Sequence, residues 1–433
     1  ALVEAREDAD DLGVPLRAQQ RIIGIEPVVC RQERVGMGIA DGFSRTTNGK
    51  RLGVFAMQHG PGVENAYAGA AQAFSDNVPL LLLPGGSPTD RSRFRPEFDP
   101  VDSYRNVTKW GARIIQTGLL SELMASAFYN LRTGRGGPVL VEVPQNIWKA
   151  EMDDDLDYVP VSGNRTAPDP QDIRDIADVL LKAEAPVIHA GQGVLYAEAT
   201  ADLVELAELL QVPVLTTMVG KSGFPEDHPL ALGAAVGTAP KPVSHFLKKA
   251  DVVFGIGCSF CATGFGVRIP EGKTVVHATL DPADINKDVA SEHALVGDAR
   301  LILDALVGEI RERLGGNPRG RMDQVTGEIK AIKGEWLEEW MPKLTSNEVP
   351  LSPYRVIRDL MHTVDVANTI ITHDAGSPRD QLSPFWEPTT PLSYIGWGKT
   401  TQLGYGLGLA MGAKLARPDK LCINVWGDAA IGF

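Results

Sequence analysis

Cysteine is scarce in this chain, basic side chains are outnumbered, and long apolar runs and repeats are missing. Each shortage removes a class of protein. Four cysteines among 433 residues cannot make a disulfide framework, and they fit a reducing, cytoplasmic compartment. Lysine and arginine number 42 against 55 acidic residues, leaving a net charge of −13. That argues against a nucleic-acid partner, whose phosphates need a basic face. Small anions stay open as ligands, because backbone N–H groups can hold them locally. No stretch reaches the roughly 18 uninterrupted apolar residues of a membrane-spanning helix, so no membrane partner is expected. The longest apolar run, 78–84, suits a buried strand. There is no short repeat and no low-complexity tract.

What is present is the composition of a globular protein, 43% apolar and 22% charged. At roughly 150 residues per domain, the length suggests about three domains. Apolar strand-like runs alternate with Ala/Gly-rich helical stretches, the pattern of doubly wound parallel sheets in an α/β fold. In the first domain, 1–150, strands are predicted at 27–30, 52–57, 79–83 and 139–143, with helices at 35–45 and 65–74. Residues 1–5 read as helix. An acidic, proline-bearing passage, 151–170, reads as a linker. The central domain, 171–314, has strands at 187–190, 212–216, 252–256 and 274–280 between helices at 172–183 and 298–313. A charged surface linker is predicted at 315–350. The last domain, 351–433, shows a strand at 369–372, a Gly-rich helix at 404–416 and a strand at 421–426. It reads as cut short, since a doubly wound domain needs about three further strands, and a strand is expected upstream of Ala1.

Three strand ends carry candidate chemistry. Glu33 sits where a strand passes into a helix of small residues. A carboxyl held there is partly desolvated, which suits it to exchange a proton near neutrality; equally, it can be a helix-start Glu favoured by the macrodipole. Gln58-His59-Gly60-Pro61-Gly62-Val63-Glu64-Asn65 follows a strand directly, where ligands bind in such sheets. Its two glycines let backbone approach a ligand; the alternative is a tight turn with Asn65 near the helix cap. His59 is a candidate base or a satisfied loop histidine. Gly427-Asp428 follows the last strand, where a carboxylate is a natural hard ligand for magnesium on a diphosphate.

Taken together and in this order, these features resemble the thiamine diphosphate-dependent enzymes of the acetolactate synthase, pyruvate oxidase and benzoylformate decarboxylase group. Gln32-Glu33 with Ala40-Asp41-Gly42-Phe43-Ser44-Arg45 is similar to the family's HE…ADGYAR stretch. Gly60-Pro61-Gly62 with Asn65 matches GPGxxN, and Asp76-Asn77-Val78-Pro79 matches D-S-x-P. Lys221 to Pro229 resembles GKGxxPExHP. Asp281-Pro282-Ala283-Asp284-Ile285, Val296-Gly297-Asp298-Ala299, and the 404–416 helix with Gly427-Asp428 match as well.

The resemblance implies three domains: pyrimidine-binding, central Rossmann-like and diphosphate-binding. It implies thiamine diphosphate and Mg2+ as cofactors, with flavin adenine dinucleotide open. Glu33 would bond the cofactor's aminopyrimidine ring and start its deprotonation. Pro61, Asn65, Gln402, Leu403, Gly404, Gly427, Asp428, Ala429 and Ala430 would contact the cofactor. Leu403 would be the apolar wedge beneath it, or else pack as an ordinary helix residue. Asp428 would be the first magnesium ligand; the second, an asparagine, would lie beyond Phe433, so the 433-residue piece alone is expected to bind cofactor weakly. Gln58 and Lys221 are candidate substrate contacts, though Lys221 could equally be a surface salt-bridge lysine. The site would lie between subunits of a homodimer or tetramer.

The implied activity is decarboxylation of a 2-keto acid with transfer of the resulting enamine to a second keto acid, as in branched-chain amino acid biosynthesis. A simple 2-keto acid decarboxylase and an acyl-transferring relative are the alternatives on the same scaffold. A non-catalytic nucleotide-binding protein and a dehydrogenase lie further off. Three departures from the family pattern stand out. Ala429 replaces a glycine, Gln32 replaces a frequent histidine, and Arg95-Pro96 replaces the Phe-Gln before Glu97. Gly191-Gln192-Gly193 could hold flavin or nucleotide phosphates, but Tyr196 occupies the place of a third glycine, which leaves an empty nucleotide fold as the alternative. Cys258 and Cys261 form one C-x-x-C without a second pair, so free thiols are expected rather than zinc.

Overall fold

A computed structural model of the chain describes residues 2–5, 27–92, 94, 96–152 and 158–433. They divide into two compact units, Ala1–Asn164 with Lys399–Phe433, and Arg165–Gly398.

The first unit is built on six strands in the order β2-β1-β3-β4-β6-β5. These are β1 (Leu2–Ala5), β2 (Pro27–Cys30), β3 (Gly53–Met57), β4 (Leu80–Gly86), β5 (Trp110–Arg113) and β6 (Pro138–Pro144). The recorded pairings are all parallel. Parallel sheets are covered on both faces, so their strands read as unbroken apolar runs. Leu80, Leu81 and Leu82 are accordingly buried, each stabilising the fold by about 1.5–3 kcal/mol.

One expectation is overturned here. Residues 1–5 were read as helix, yet Leu2–Ala5 is a strand between β2 and β3. Leu, Glu and Ala favour helices locally, but pairing with a parallel neighbour on each side outweighs a propensity of a few tenths of a kcal/mol per residue.

The strand order reverses between β1 and β3, and in such sheets the ligand crevice opens at the carboxyl ends beside that reversal. β2 leads into the helix Glu33–Arg45, and β3 into the helix Pro61–Ser75. Both helices begin earlier than predicted. Pro61 takes a first helical position, where its missing N–H costs nothing. Gly60 caps the helix at φ 71°, a conformation that only glycine adopts easily. Asn65 therefore lies inside the helix rather than at its cap.

The second unit carries β7 (Val187–Ala190), β8 (Val214–Thr216), β9 (Ala231–Ala234), β10 (Val252–Ile256), β11 (Thr274–Thr279) and β12 (His293–Val296). Their order is β12-β11-β10-β7-β8-β9, and the recorded pairings are again parallel. Strands β13 (Thr369–His373) and β14 (Tyr394–Ile395) form a further parallel pair.

The stretch 315–350 is not the linker that its charge suggested. Most of it is one helix, Met322–Leu344, which buries Val325, Ile329, Trp336 and Leu344. Its charged side lies on the surface, where Glu328 pairs with Lys249 and Glu335 with Lys241. In the other predicted linker, residues 158 to 169 form neither helix nor strand. The last predicted domain, 351–433, is shared between the two units, because Lys399–Phe433 (with β15, Leu421–Val425) belongs to the first. Among the described residues no helix is long and apolar enough to cross a membrane.

Candidate active site

The first unit gathers most of the predicted residues. Its central packing is the contact between the Glu33–Arg45 helix and the helix Tyr405–Ala416, which meet backbone to backbone. A Cβ on Gly42 would lie 2.2 Å from the Leu409 carbonyl oxygen, and one on Gly412 would lie 2.1 Å from that of Ile39. One on Gly408 would fall 2.8 Å from the Gly38 Cα. Glycine at these positions is what lets the helices approach so closely.

A buried polar network locks the same packing. Arg45 bonds Asp41 through Nε, and its Nη2 donates to Asp41 at 3.0 Å and to Asp76 at 2.9 Å. Gln72 donates to Asp76 (2.8 Å), and Thr400 donates to Gln72 (2.5 Å). The Tyr405 hydroxyl donates to Asp41 at 2.8 Å. Burial raises the Asp41 pKa, opposed by the charge and hydrogen bond of Arg45. It also drives the Tyr405 phenol well above its usual value. Tyr405 therefore stays a donor and ties the 402–404 segment to the Glu33 helix.

At the mouth of this packing lies Glu33, half-buried. Among the described residues its carboxylate has no hydrogen-bond or ion-pair partner. Burial, with the negative charge of Glu33 adding to it, pushes the Cys30 thiol at the end of β2 up to about 11. A Cβ on Gly62 would lie 3.5 Å from Glu33 Oε1 and 3.1 Å from the Cβ of Gln58. The Gly60-Pro61-Gly62 turn thus brings Gln58 and Glu33 to one place, and glycine keeps the gap between them open. Gln58, Pro61 and Asn65 are exposed.

Gln402 bridges the same helices, its amide nitrogen 3.2 Å from the Ala68 carbonyl and its oxygen 2.9 Å from Arg34 Nε. Leu403 is 39% exposed, whereas Leu409 on the helix that follows is fully buried. Gly404 caps the Tyr405 helix at φ 82°. A Cβ there would meet the Phe433 Cβ at 2.7 Å and the Ala430 carbonyl oxygen at 3.4 Å, so the two predicted cofactor segments touch. Asp428 and Ala429 are exposed and Ala430 is buried. The resemblance gives the two halves of the site to different subunits; in this chain Glu33 and residues 402–404 and 427–430 share one compact unit.

Lys221, in the second unit, is neither on the surface nor open to solvent. It is fully buried, bonded to Glu226, with its ammonium 5.3 Å from the centre of the Tyr394 ring. Burial lowers the lysine pKa and raises that of the glutamate, while their mutual attraction opposes both shifts. The Gly191-Gln192-Gly193 turn uses its amides internally: Gly191 donates to Ile256 (2.9 Å) and Gly193 to Gly257 (2.8 Å). A Cβ on Gly191 would lie 2.3 Å from the Gly257 oxygen, so these glycines serve chain packing. The four cysteines are free; Cys258 is buried and Cys261 half-buried. Among the described residues no group of three His, Cys, Asp or Glu side chains is gathered for a metal.

One cluster escaped the sequence reading. His59 Nε2 lies 3.2 Å from Ser87 Oγ, which in turn donates to Glu97. Ser87 follows β4 as His59 follows β3, so their meeting required knowing that these strands are neighbours. Arg95, which departs from the family pattern beside Glu97, lies outside the described residues.

The crevice fits a flat, partly charged cofactor. It offers an unpartnered half-buried carboxylate, an exposed Leu403, and glycines at 60 and 432 whose missing side chains would meet nothing within 4 Å. The exposed Asp428 carboxylate is a hard oxygen donor of the kind that a magnesium ion on a diphosphate would take.

Comparison with known proteins follows the same outline. Residues 9–105 match the thiamine pyrophosphate enzyme N-terminal TPP binding domain, 173–306 the central domain, and 374–433 the C-terminal TPP binding domain. A probable acetolactate synthase large subunit of Methanococcus aeolicus is 31% identical, over 93% of this chain and 69% of its own length. The protein of the same description from Methanocaldococcus jannaschii is 32% identical, again over 93% and 69%. A glyoxylate carboligase of Escherichia coli O157:H7 is 28% identical over 95% of this chain and 69% of its own length.

Proposed function

The chain belongs to the thiamine pyrophosphate enzymes of acetolactate synthase type, and from that premise we propose that its reaction centre is the crevice of the first unit, where Glu33 faces Gly62. The enzyme is a thiamine diphosphate-dependent carboligase: one 2-keto acid loses carbon dioxide, and the remaining unit is joined to a second keto acid. The cofactor supplies the electron sink for decarboxylation. The observation that carries the placement is the half-buried, unpartnered Glu33 carboxylate beside the Gly60–Gly62 turn.

In this reading Glu33 holds a proton against the cofactor's ring nitrogen and moves it on demand. Leu403 would contact the bound cofactor. Backbone at Gly404, Gly427, Ala429 and Ala430 would hold its diphosphate, with Pro61, Asn65 and Gln402 as further contacts. Asp428 would hold the magnesium ion. Gln58, exposed just after β3, is the candidate substrate contact. Lys221 is better explained as the buried partner of Glu226. Flavin gains no support from the 191–193 turn, whose Gly191 and Gly193 amides already have partners. A homodimer or tetramer is the assembly in this reading, tested by sedimentation of the purified protein. A cytoplasmic setting suits four free thiols.

Feeding pyruvate, and separately pyruvate with glyoxylate, tests the activity. Acetolactate, read as acetoin after acid treatment, supports the acetolactate synthase reading. A product containing the glyoxylate carbons points to the relative named glyoxylate carboligase. Free aldehyde alone would instead establish a simple decarboxylase.

A further inference from the structure

Joining the two keto acids consumes a proton. Two carboxylates enter, while one carboxylate and carbon dioxide leave. A new carbon–carbon bond forms at the acceptor's carbonyl carbon, the carbonyl π pair moves onto oxygen, and that oxygen must be protonated. Glu33 is engaged with the cofactor in the proposed reading, so a second proton donor is needed in the crevice.

His59, Ser87 and Glu97 form such a device. An ionised carboxylate can only accept, so the single Ser87 hydroxyl proton goes to Glu97. Ser87 Oγ must then accept from His59, which fixes that ring as the Nε2–H tautomer. The opposite nitrogen, Nδ1, is buried and has no hydrogen-bond partner among the described residues. A buried ring nitrogen without a partner is costly unless a ligand satisfies it. The place is right as well. His59 stands between Gln58 and Gly60, and a Cβ on Gly85 at the end of β4 would lie 3.4 Å from the His59 Cβ. On its other side Gln58 adjoins Gly62, which Glu33 Oε1 also approaches. Glu33 follows β2 and His59 follows β3, one on each side of β1, so both stand at carboxyl ends of the sheet beside the reversal in strand order.

We propose that His59, held by Ser87 and Glu97, is the acid that delivers a proton from Nδ1 to the acceptor's developing alkoxide. Nδ1 first takes up a proton from water, and passing that proton to the alkoxide returns the ring to its neutral Nε2–H form, which Ser87 and Glu97 hold in place. The inference rests on the carboligase reading above, but its first test does not. Long-range hydrogen–nitrogen NMR of the full-length protein labelled with 15N-histidine reads the tautomer without cofactor or substrate. His59 should carry its proton on Nε2, and Ser87→Ala should abolish that preference; a wild-type His59 protonated on Nδ1 alone overturns the proposal. His59→Gln should lower formation of the joined product about 10²-fold while leaving cofactor affinity within twofold. Product formation at the wild-type rate would overturn it too. Failure of the wild type to make any joined product would sink the carboligase reading, and the tautomer measurement keeps the two failures apart.

Discussion

Glu33 Oε1 lies 3.5 Å from the point where a side chain on Gly62 would begin. The carboxylate and the glycine come from different strand ends, and a methyl group on Gly62 would already be in contact with the carboxylate. Glu33→Gln keeps the shape and removes the acid. It should lower turnover about 10²–10⁴-fold and slow hydrogen exchange at the cofactor's acidic carbon, followed by NMR. Unchanged exchange would remove Glu33 from the reaction. Gly62→Val should instead weaken cofactor binding, read by fluorescence titration, because the branched side chain fills the gap.

Gly42→Ala tests the helix contact that carries the 402–404 segment. The added methyl would lie 2.2 Å from the Leu409 carbonyl oxygen, and backbone cannot yield as a flexible side chain does. The substitution should cost about 1–3 kcal/mol in denaturant unfolding and reduce activity with it. An equally stable, equally active variant would contradict this packing.

Asp428 is exposed and has no partner among the described residues, so Asp428→Ala should leave unfolding within about 0.5 kcal/mol of the wild type. Magnesium-dependent binding of thiamine diphosphate should nonetheless weaken at least tenfold. Calorimetric titration with and without magnesium separates the two effects. Equal affinity would exclude Asp428 as a metal ligand.

His189 provides a pH signature. It is buried, both ring nitrogens lack hydrogen-bond partners among the described residues, and desolvation followed by the nearby His277 brings its pKa down to about 4. An ordinary histidine titrates near 6.5 in the unfolded chain. Between these values the unfolded state binds more protons, so this contribution is complete above about pH 6.5 and declines as pH falls toward 4. Full titration amounts to roughly 3 kcal/mol. Unfolding midpoints across pH 4–7 should slope less steeply in His189→Asn. Identical slopes would show that another group governs the acid limb.

Strand ends were the legible part of this sequence. Val187–Ala190 and Val252–Ile256 fall where apolar runs placed them, because a buried parallel strand needs both faces apolar and its run stands out. Glu33 and Gly60-Pro61-Gly62 could be found for the same reason: each follows such a run. Leu2–Ala5 could not, since four residues show no period and only the two neighbouring strands make it a strand. The helix Met322–Leu344 was hidden by charge, because its apolar residues form a sparse stripe. The depth of Lys221 was hidden too: its partner Glu226 is near in sequence, but the Tyr394 ring is not. Ser87 and Glu97 carry no motif, and only the pairing of β3 with β4 sets them beside His59.

The first unit is discontinuous: its two pieces, Ala1–Asn164 and Lys399–Phe433, are separated in the chain by the whole of the second. During synthesis the Glu33–Arg45 helix leaves the ribosome long before Tyr405 exists to donate to Asp41. Its glycine-lined face and its buried acid must wait while the residues between are made. At about 5–20 residues per second, that wait is of the order of ten seconds or more. The second unit, continuous in sequence, can close first. Premature termination between residues 398 and 405 therefore yields a chain whose inserted unit is complete and whose first unit is not, with an exposed small-residue helix face as its point of recognition by chaperones.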